Sequence, residues 1–278
     1  MSDLRNARYP DNEIINAGYT TSDLRNAGYL ASDLRTAKYN LLNMLESYSL
    51  KELKEGGYIL ANFRIISYKV ELLKELYRLD EFKTANYTAS ELKAGGYTAA
   101  DLKDVYLVND LKVANYTASE LKAGGYTAAD LKDTKYKVPE LYAAGYPASD
   151  LRVAQYNLQY MLGSYTLKEL KAGGYTAPEI KNTPYVAKQL REVGYTVWEL
   201  KDAKYSMNDI LHAGYPAKDL CACGYPPLEL AYAGYQKIEI LKAGYPAIDL
   251  RFADYSSQDL LEAGYPPKAL QLAGYKNV

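Results

Sequence analysis

The stretch "TASELKAGGYTAADLKD", residues 88–104, holds two adjoining versions of one ten-residue phrase, and the same letters return at residues 117–133. Each phrase ends in Tyr, and 28 of the 31 Tyr residues lie on one ladder that runs from Tyr9 to Tyr275. The step along the ladder is ten residues, except that it is nine before Tyr48, Tyr77, Tyr106 and Tyr165. A short period therefore organises the whole chain and predicts one continuous repeat array over residues 1–278.

The order of residue types within one repeat predicts a very short helix. If Tyr is position ten, Thr88 at position one can cap the helix, and Glu91 at position four can complete a capping box. Gly96 at position nine can adopt the left-handed conformation that ends a helix. Ten of the 11 Pro occupy positions one to three, and 18 of the 19 Gly occupy positions eight or nine. Proline at the start and glycine at the end is typical of helices and argues against strands.

Positions two, five and eight, usually Ala, Leu and Ala, fall on one side of this helix and predict its buried side. An isolated helix of about seven residues is unstable in water, so each one must pack on its neighbours. The sequence thus predicts an all-α fold, an α-solenoid of either hand with about 28 repeats and one helix in each.

The number of repeats per coil is suggested by a longer identity. The 20 residues "ANYTASELKAGGYTAADLKD" occur at residues 85–104 and again at 114–133, an offset of 29 residues or three repeats. We therefore expect about three repeats per coil, and with layers about 8–10 Å apart an array about 70–90 Å long. Two repeats per coil is the alternative, and it would make the array well over 100 Å long.

Composition limits the classes of partner. The chain has 33 basic and 34 acidic residues, so no net field attracts nucleic acid or an anionic membrane. Its apolar runs are much shorter than the roughly 20 residues of a membrane span, and "MSDLRNARYP" has no apolar core for a secretion signal. Cys221 and Cys223 would point to different faces of a helix, which argues against a mutual disulfide. We expect a soluble, intracellular (by default cytoplasmic) protein without a membrane span.

The Tyr ladder has two interpretations. Tyr can wedge each corner against the next layer and bond its hydroxyl to an orphan carbonyl, which is a structural role. Alternatively an exposed row of Tyr could stack on bases, but solenoids that read nucleic acid are usually basic, and this chain is neutral. The structural role is the favoured interpretation.

Position six carries the second repeated signal. Through the repeat that ends at Tyr205 it is Lys or Arg in 17 of 21 repeats, which predicts a basic stripe over residues 1–205. After residue 206 only Arg251 stays basic, which predicts an apolar stripe over residues 206–278. The basic stripe is represented by Arg25, Arg35, Lys54, Arg64, Lys93, Lys122, Arg152, Lys171 and Arg191. The apolar stripe, a candidate interaction surface, comprises Leu211, Cys221, Ala231, Leu241 and Leu261. The basic stripe is also compatible with a solvated row that neighbouring acids screen, and the apolar stripe with divergent copies.

Catalytic and metal chemistry find little support. His212 is the single histidine, no nucleophile is patterned around it, and the acids recur evenly along the chain instead of converging as a pair. Together with the two cysteines it provides three potential ligands, short of the usual four. The glycines end helices, so none forms a phosphate loop. We predict no enzyme activity, no cofactor and no metal site.

The wording "LKAGGYTAADLK", residues 92–103, resembles short Leu/Ala-Gly-Tyr tandem repeats of microbial eukaryotes and large viruses. The resemblance covers nearly the whole chain and implies a helical array, but it brings no activity or binding residue with it. Two function classes remain: a scaffold that binds other proteins, possibly within a larger assembly, and a solenoid that binds a peptide or nucleic-acid strand along its groove. Positions one, three and seven vary without the small alphabet of a recognition code, so we favour the scaffold.

Overall fold

The protein is all-helical in the part of the chain that the computed structural model describes, which is residue 13 and residues 17–276. Within these residues there are 26 helices of four to seven residues, and no strand. Each helix falls in one repeat, which confirms the predicted all-α array. Tyr9 and the rest of the array predicted for residues 1–12 and 14–16 lie outside the described residues, as do residues 277–278.

The chain divides into two compact halves, of which the first ends at Tyr146 and the second begins at Pro147. The described helices of the first half are α1 (Thr21–Asn26), α2 (Ala31–Thr36), α3 (Leu41–Ser47), α4 (Leu50–Glu55), α5 (Leu60–Ile65), α6 (Val70–Leu73), α7 (Leu79–Thr84), α8 (Ala89–Ala94), α9 (Ala99–Leu102), α10 (Val108–Val113), α11 (Ala118–Ala123), α12 (Ala128–Leu131) and α13 (Val138–Ala143). Those of the second half are α14 (Ala148–Val153), α15 (Leu158–Met161), α16 (Leu167–Ala172), α17 (Ala177–Ile180), α18 (Ala187–Glu192), α19 (Val197–Asp202), α20 (Met207–His212), α21 (Ala217–Ala222), α22 (Pro227–Tyr232), α23 (Lys237–Leu241), α24 (Ala247–Phe252), α25 (Ser257–Glu262) and α26 (Pro267–Leu272).

The helices start as their capping residues predict. At the start of α8, the Glu91 backbone N–H donates to the Thr88 hydroxyl at 3.2 Å. The Glu91 carboxylate in return accepts from the Thr88 backbone N–H at 2.7 Å. This reciprocal pair satisfies two backbone donors that the first turn of a helix leaves open. It therefore helps to define where each six-residue helix begins.

The helices end in two ways, according to repeat length. In a ten-residue repeat the Tyr97 N–H donates to the Leu92 carbonyl at 3.0 Å, and Gly96 has φ +82°. This is the Schellman arrangement, which needs one left-handed residue before the Tyr. In a nine-residue repeat that residue is missing, and the Tyr77 N–H donates to the Leu73 carbonyl, four residues back, at 3.0 Å. The shorter repeat thus changes the end of its helix and keeps the Tyr in place.

The helices stack two repeats apart. Within the first half α8 packs on α10 and α9 on α11, and within the second half α22 packs on α24 and α24 on α26. The Leu side chains at position five, such as Leu92 and Leu121, are fully buried between these layers. The prediction of three repeats per coil is therefore wrong, and the alternative of two is correct within each half. The 29-residue offset records the length of a duplication, because copying three repeats together does not require three repeats to share a layer.

Candidate functional site

The Tyr ladder is a chain of hydrogen bonds between layers. The Tyr77 hydroxyl donates to the Tyr58 carbonyl at 2.7 Å, and the Tyr215 hydroxyl to the Tyr195 carbonyl at 2.6 Å. The acceptor is always the Tyr two repeats earlier; the donors are Tyr48, Tyr77, Tyr106, Tyr116, Tyr136, Tyr146, Tyr195, Tyr215, Tyr235, Tyr245, Tyr265 and Tyr275. These bonds confirm the structural role of Tyr, because the ring fills the corner while the hydroxyl satisfies a corner carbonyl.

Burial changes the acidity of these phenols. Desolvation raises the pKa of Tyr77 to about 12, since a buried phenolate would lose its hydration. Desolvation likewise raises the pKa of Tyr195 to about 12. The ladder therefore stays protonated throughout the physiological range and donates hydrogen bonds.

The cation at position six links one layer to the next. The Lys93 ammonium donates to the Asn115 carbonyl at 2.7 Å and lies 4.2 Å from the ring centroid of Tyr116, both two repeats later. It also lies 3.0 Å from the carboxylate of Glu120, three repeats later. One ammonium thus caps a helix end, covers a Tyr ring and pairs with the acid of a capping box.

The acid at position four takes part in both the cap and the ion pair. Glu52 accepts from the Ser49 amide at 2.7 Å and from the Arg25 guanidinium at 2.9 Å. The Ser49 hydroxyl and amide, and after them Arg25, hold the pKa of Glu52 below its usual value. Position four is therefore part of the same network as the cation and the Tyr.

The predicted basic stripe exists, and its members make contacts within the chain. Eight of its nine residues lie over the ring of the Tyr two repeats later, at 4.2–5.9 Å from the centroid: Arg25, Arg35, Lys54, Arg64, Lys93, Lys122, Arg152 and Lys171. The ninth, Arg191, donates to the Gly214 carbonyl at 2.6 Å. The stripe is thus a structural ladder, and its charges are largely engaged inside each half.

The apolar stripe is divided between the interior and the surface. Leu211 and Leu241 are only 4% and 5% exposed, Cys221 is half-buried, and Ala231 and Leu261 are exposed. The Tyr235 hydroxyl donates to the Leu211 carbonyl at 3.0 Å, which shows that Tyr235 packs close to this position. Leu211 and Leu241 therefore take the place of the buried stem of a cation, and they leave no exposed side chain for a partner. The five residues do not form one continuous surface row.

The reactive residues outside the repeat pattern lie apart. Cys221 and Cys223 carry free thiols, and burial raises the pKa of Cys223. His212 Nδ1 lies 2.8 Å from the Asn208 carbonyl at the end of α20. Among the described residues, no group of three or more His, Cys, Asp or Glu side chains is placed to hold a metal ion. None of the described helices is long and apolar enough to cross a bilayer.

Three equivalent grooves, of about 330–410 Å³ each, follow the layers of the first half. Each is lined by a position-six cation, the Tyr of the same repeat and the start of the next helix, as with Arg25, Tyr29 and Ala31. In two of the grooves the cation is already paired, Arg25 with Glu52 and Arg64 with Glu91. The grooves offer recurring shape with largely neutralised charge.

The sequence analysis missed one surface. Positions three and seven of α22, α24 and α26 carry exposed apolar side chains: Leu228, Tyr232, Ile248, Phe252 and Leu272. Their helices are alternate along the chain and adjacent in the stack. With two repeats per coil, the 20-residue spacing from Tyr232 to Phe252 to Leu272 would have revealed this surface; with three it is hidden.

Comparison with known proteins identifies the repeat. A family model described as a decapeptide repeat region matches residues 47–116, 105–164, 162–227 and 210–277. No curated protein and no solved structure gives a significant match. The four matched stretches run without a gap from residue 47 to residue 277, so they include most of the helices described above.

Proposed function

The chain belongs to the decapeptide repeat family, and on this premise we propose that it is a non-enzymatic scaffold that binds other proteins on its exposed faces, as part of a larger assembly. The observation that carries this proposal is the division of labour within the repeat. The Tyr hydroxyl, the cation and the acid bond to one another across the layers, as Tyr116, Lys93 and Glu120 illustrate. The recurring polar groups hold the stack together and leave recognition to the positions that vary.

The variable positions are the ones at the surface. At position seven Ile65, Val113 and Val153 are largely exposed, whereas Thr36 and Asp133 put polar side chains at the same place in other repeats. Exposed apolar side chains on a rigid frame are typical of protein interaction surfaces. A stack of short helices can change these residues without disturbing its core, since they contact little of the interior.

Affinity purification with mass spectrometry tests this proposal. The tagged full-length chain is compared with a triple variant, Ile65→Lys, Val113→Lys and Val153→Lys, and with a control variant, Thr36→Lys, Ala94→Lys and Asp133→Lys. We expect the wild type and the control to recover the same stoichiometric proteins and the triple variant to lose at least one of them. Recovery of stoichiometric nucleic acid without a protein would overturn the proposal.

A strand that lies in the grooves of the first half is the second candidate, because the three grooves recur at equivalent positions. Their charge favours a peptide over nucleic acid, since the cations of two grooves are already paired. We expect a labelled single-stranded oligonucleotide to show no saturable binding by fluorescence anisotropy at about 150 mM salt. Saturable binding that weakens steeply with added salt would favour the nucleic-acid alternative.

A further inference from the structure

Three stacked helices of the second half present one apolar surface, here called the aromatic face: Leu228 and Tyr232 on α22, Ile248 and Phe252 on α24, and Leu272 on α26. Tyr232 is 76% exposed, Phe252 75% and Leu272 82%. Exposure on this scale is unusual for side chains that large, and it recurs in three successive layers. The aromatic face is therefore a feature of the fold and not one stray residue.

The residues of the aromatic face are contiguous for a geometric reason. Leu228 and Tyr232 are four residues apart on one helix, as are Ile248 and Phe252, so each pair shares a helix side. α22 packs on α24 and α24 on α26, so the pairs lie one above another. With layers about 8–10 Å apart, the face is about 20 Å long. The central layer contributes only Ile248 and Phe252, and no charged side chain separates them from the layers on either side at positions three and seven.

We propose that a second copy of this chain covers the aromatic face and that the two copies form a twofold-symmetric dimer. The three most exposed side chains alone offer on the order of 400 Å² of apolar surface, about half of the 800 Å² that each partner buries in a stable complex. The surrounding residues of the same helices can supply the remainder. An uncharged apolar face is complementary to itself, as a twofold interface requires.

The charges at the edges of the face fix the direction of pairing. Exposed Lys268 lies on α26 and half-buried Glu229 on α22, at opposite ends of the face. If the twofold axis passes beside Phe252, α22 of one copy faces α26 of the other. Tyr232 then meets Leu272 of the second copy, and Lys268 meets Glu229 of the second copy. The antiparallel arrangement pairs opposite charges at both ends, whereas a parallel one would oppose like charges.

Sedimentation velocity on the purified full-length chain tests this proposal over about 1–100 μM. We expect a monomer–dimer equilibrium for the wild type and at least a ~30-fold larger Kd for Phe252→Glu, which puts a charge at the centre of the interface. The matched control is Val113→Glu, an equally exposed position-seven residue of the first half, which should leave the Kd unchanged. Far-UV circular dichroism verifies that both variants keep their helices.

A charge exchange tests the direction of pairing. Glu229→Lys and Lys268→Glu should each raise the Kd about threefold to tenfold, and the double exchange should restore it. A wild type that stays monomeric at 100 μM, or a Phe252→Glu variant with an unchanged Kd, would overturn the proposal. The experiment uses purified protein alone, so its result is independent of whether the chain also binds other proteins as a scaffold.

Discussion

Among single side chains, Tyr77 offers the most direct measurement of what the ladder contributes to stability. Tyr77→Phe keeps the buried ring and its contact with Lys54 but removes the donor to the Tyr58 carbonyl. Because that carbonyl is buried, we expect the free energy of unfolding to fall by about 1 kcal/mol. Urea denaturation measures this, with Tyr160→Phe as control, since Tyr160 is 72% exposed and off the ladder. Equal midpoints for the two variants would show that the hydroxyl bond contributes nothing.

Gly56 shows where the explanation based on helix termination does not apply. It has φ −73°, which any residue adopts, so it is not a left-handed terminator. A Cβ at Gly56 would lie 2.7 Å from the Ala31 Cβ and 2.8 Å from the Ser32 nitrogen, in the layer two repeats earlier. Glycine at position eight is therefore required by close approach between layers, which depends on the stacking and cannot be read from one repeat.

Gly56→Ala should consequently destabilise the fold, although glycine to alanine usually stabilises a helix. We expect a loss of about 1–3 kcal/mol in the free energy of unfolding, because the backbone of α2 would have to move. Gly163→Ala is the matched control, since a Cβ there meets nothing within 4 Å, and it should be neutral or slightly stabilising. Urea midpoints compare the two; a stable Gly56→Ala variant would mean that the layers can separate at little cost.

At the level of helices, the position-six cation joins elements that the sequence places far apart. Lys93→Met keeps the aliphatic stem over Tyr116 but loses the bond to the Asn115 carbonyl and the pairing with Glu120. We expect the free energy of unfolding to fall by about 1–2 kcal/mol. In Lys51→Met the lost partner is only Glu55, 4.0 Å away on the same exposed surface, and stability should change by less than about 0.5 kcal/mol. Indistinguishable urea midpoints would mean that the cation is merely solvated.

Helix positions were predictable from the sequence, and helix contacts were not. Thr88, Glu91 and Gly96 act locally, so one repeat contains the information that starts and stops α8. The partners of Lys93 lie 22 and 27 residues away, and a sequence pattern does not specify which distant helix packs on which. Position six could therefore be recognised as a row of cations, while its role as a link between layers needed the coordinates.

For the chain as a whole, the same limit explains both the corrected coil and the missed surface. The 29-residue duplication made three repeats the natural coil, and a three-repeat coil places Tyr232 and Phe252 on different faces. The observed stacking of α22 on α24 places them on one face. Self-association through the aromatic face thus follows from the period of the coil and not from the composition of any repeat.

The shared burial of the Tyr ladder predicts cooperative unfolding at alkaline pH. Desolvation raises the pKa of Tyr48, Tyr106 and Tyr116 to about 12, above the ordinary value of 10.0. Between pH 10 and 12 the unfolded chain has therefore released phenol protons that the folded chain still holds, so stability is complete below about pH 10 and falls as pH rises towards 12. The losses add over many layers. We expect phenolate absorbance near 295 nm to rise together with the loss of helical circular dichroism, in a transition steeper than a single-site titration. A gradual single-site rise near pH 10 while the helical signal persists would show that the ladder phenols are open to solvent, contrary to the buried network described here.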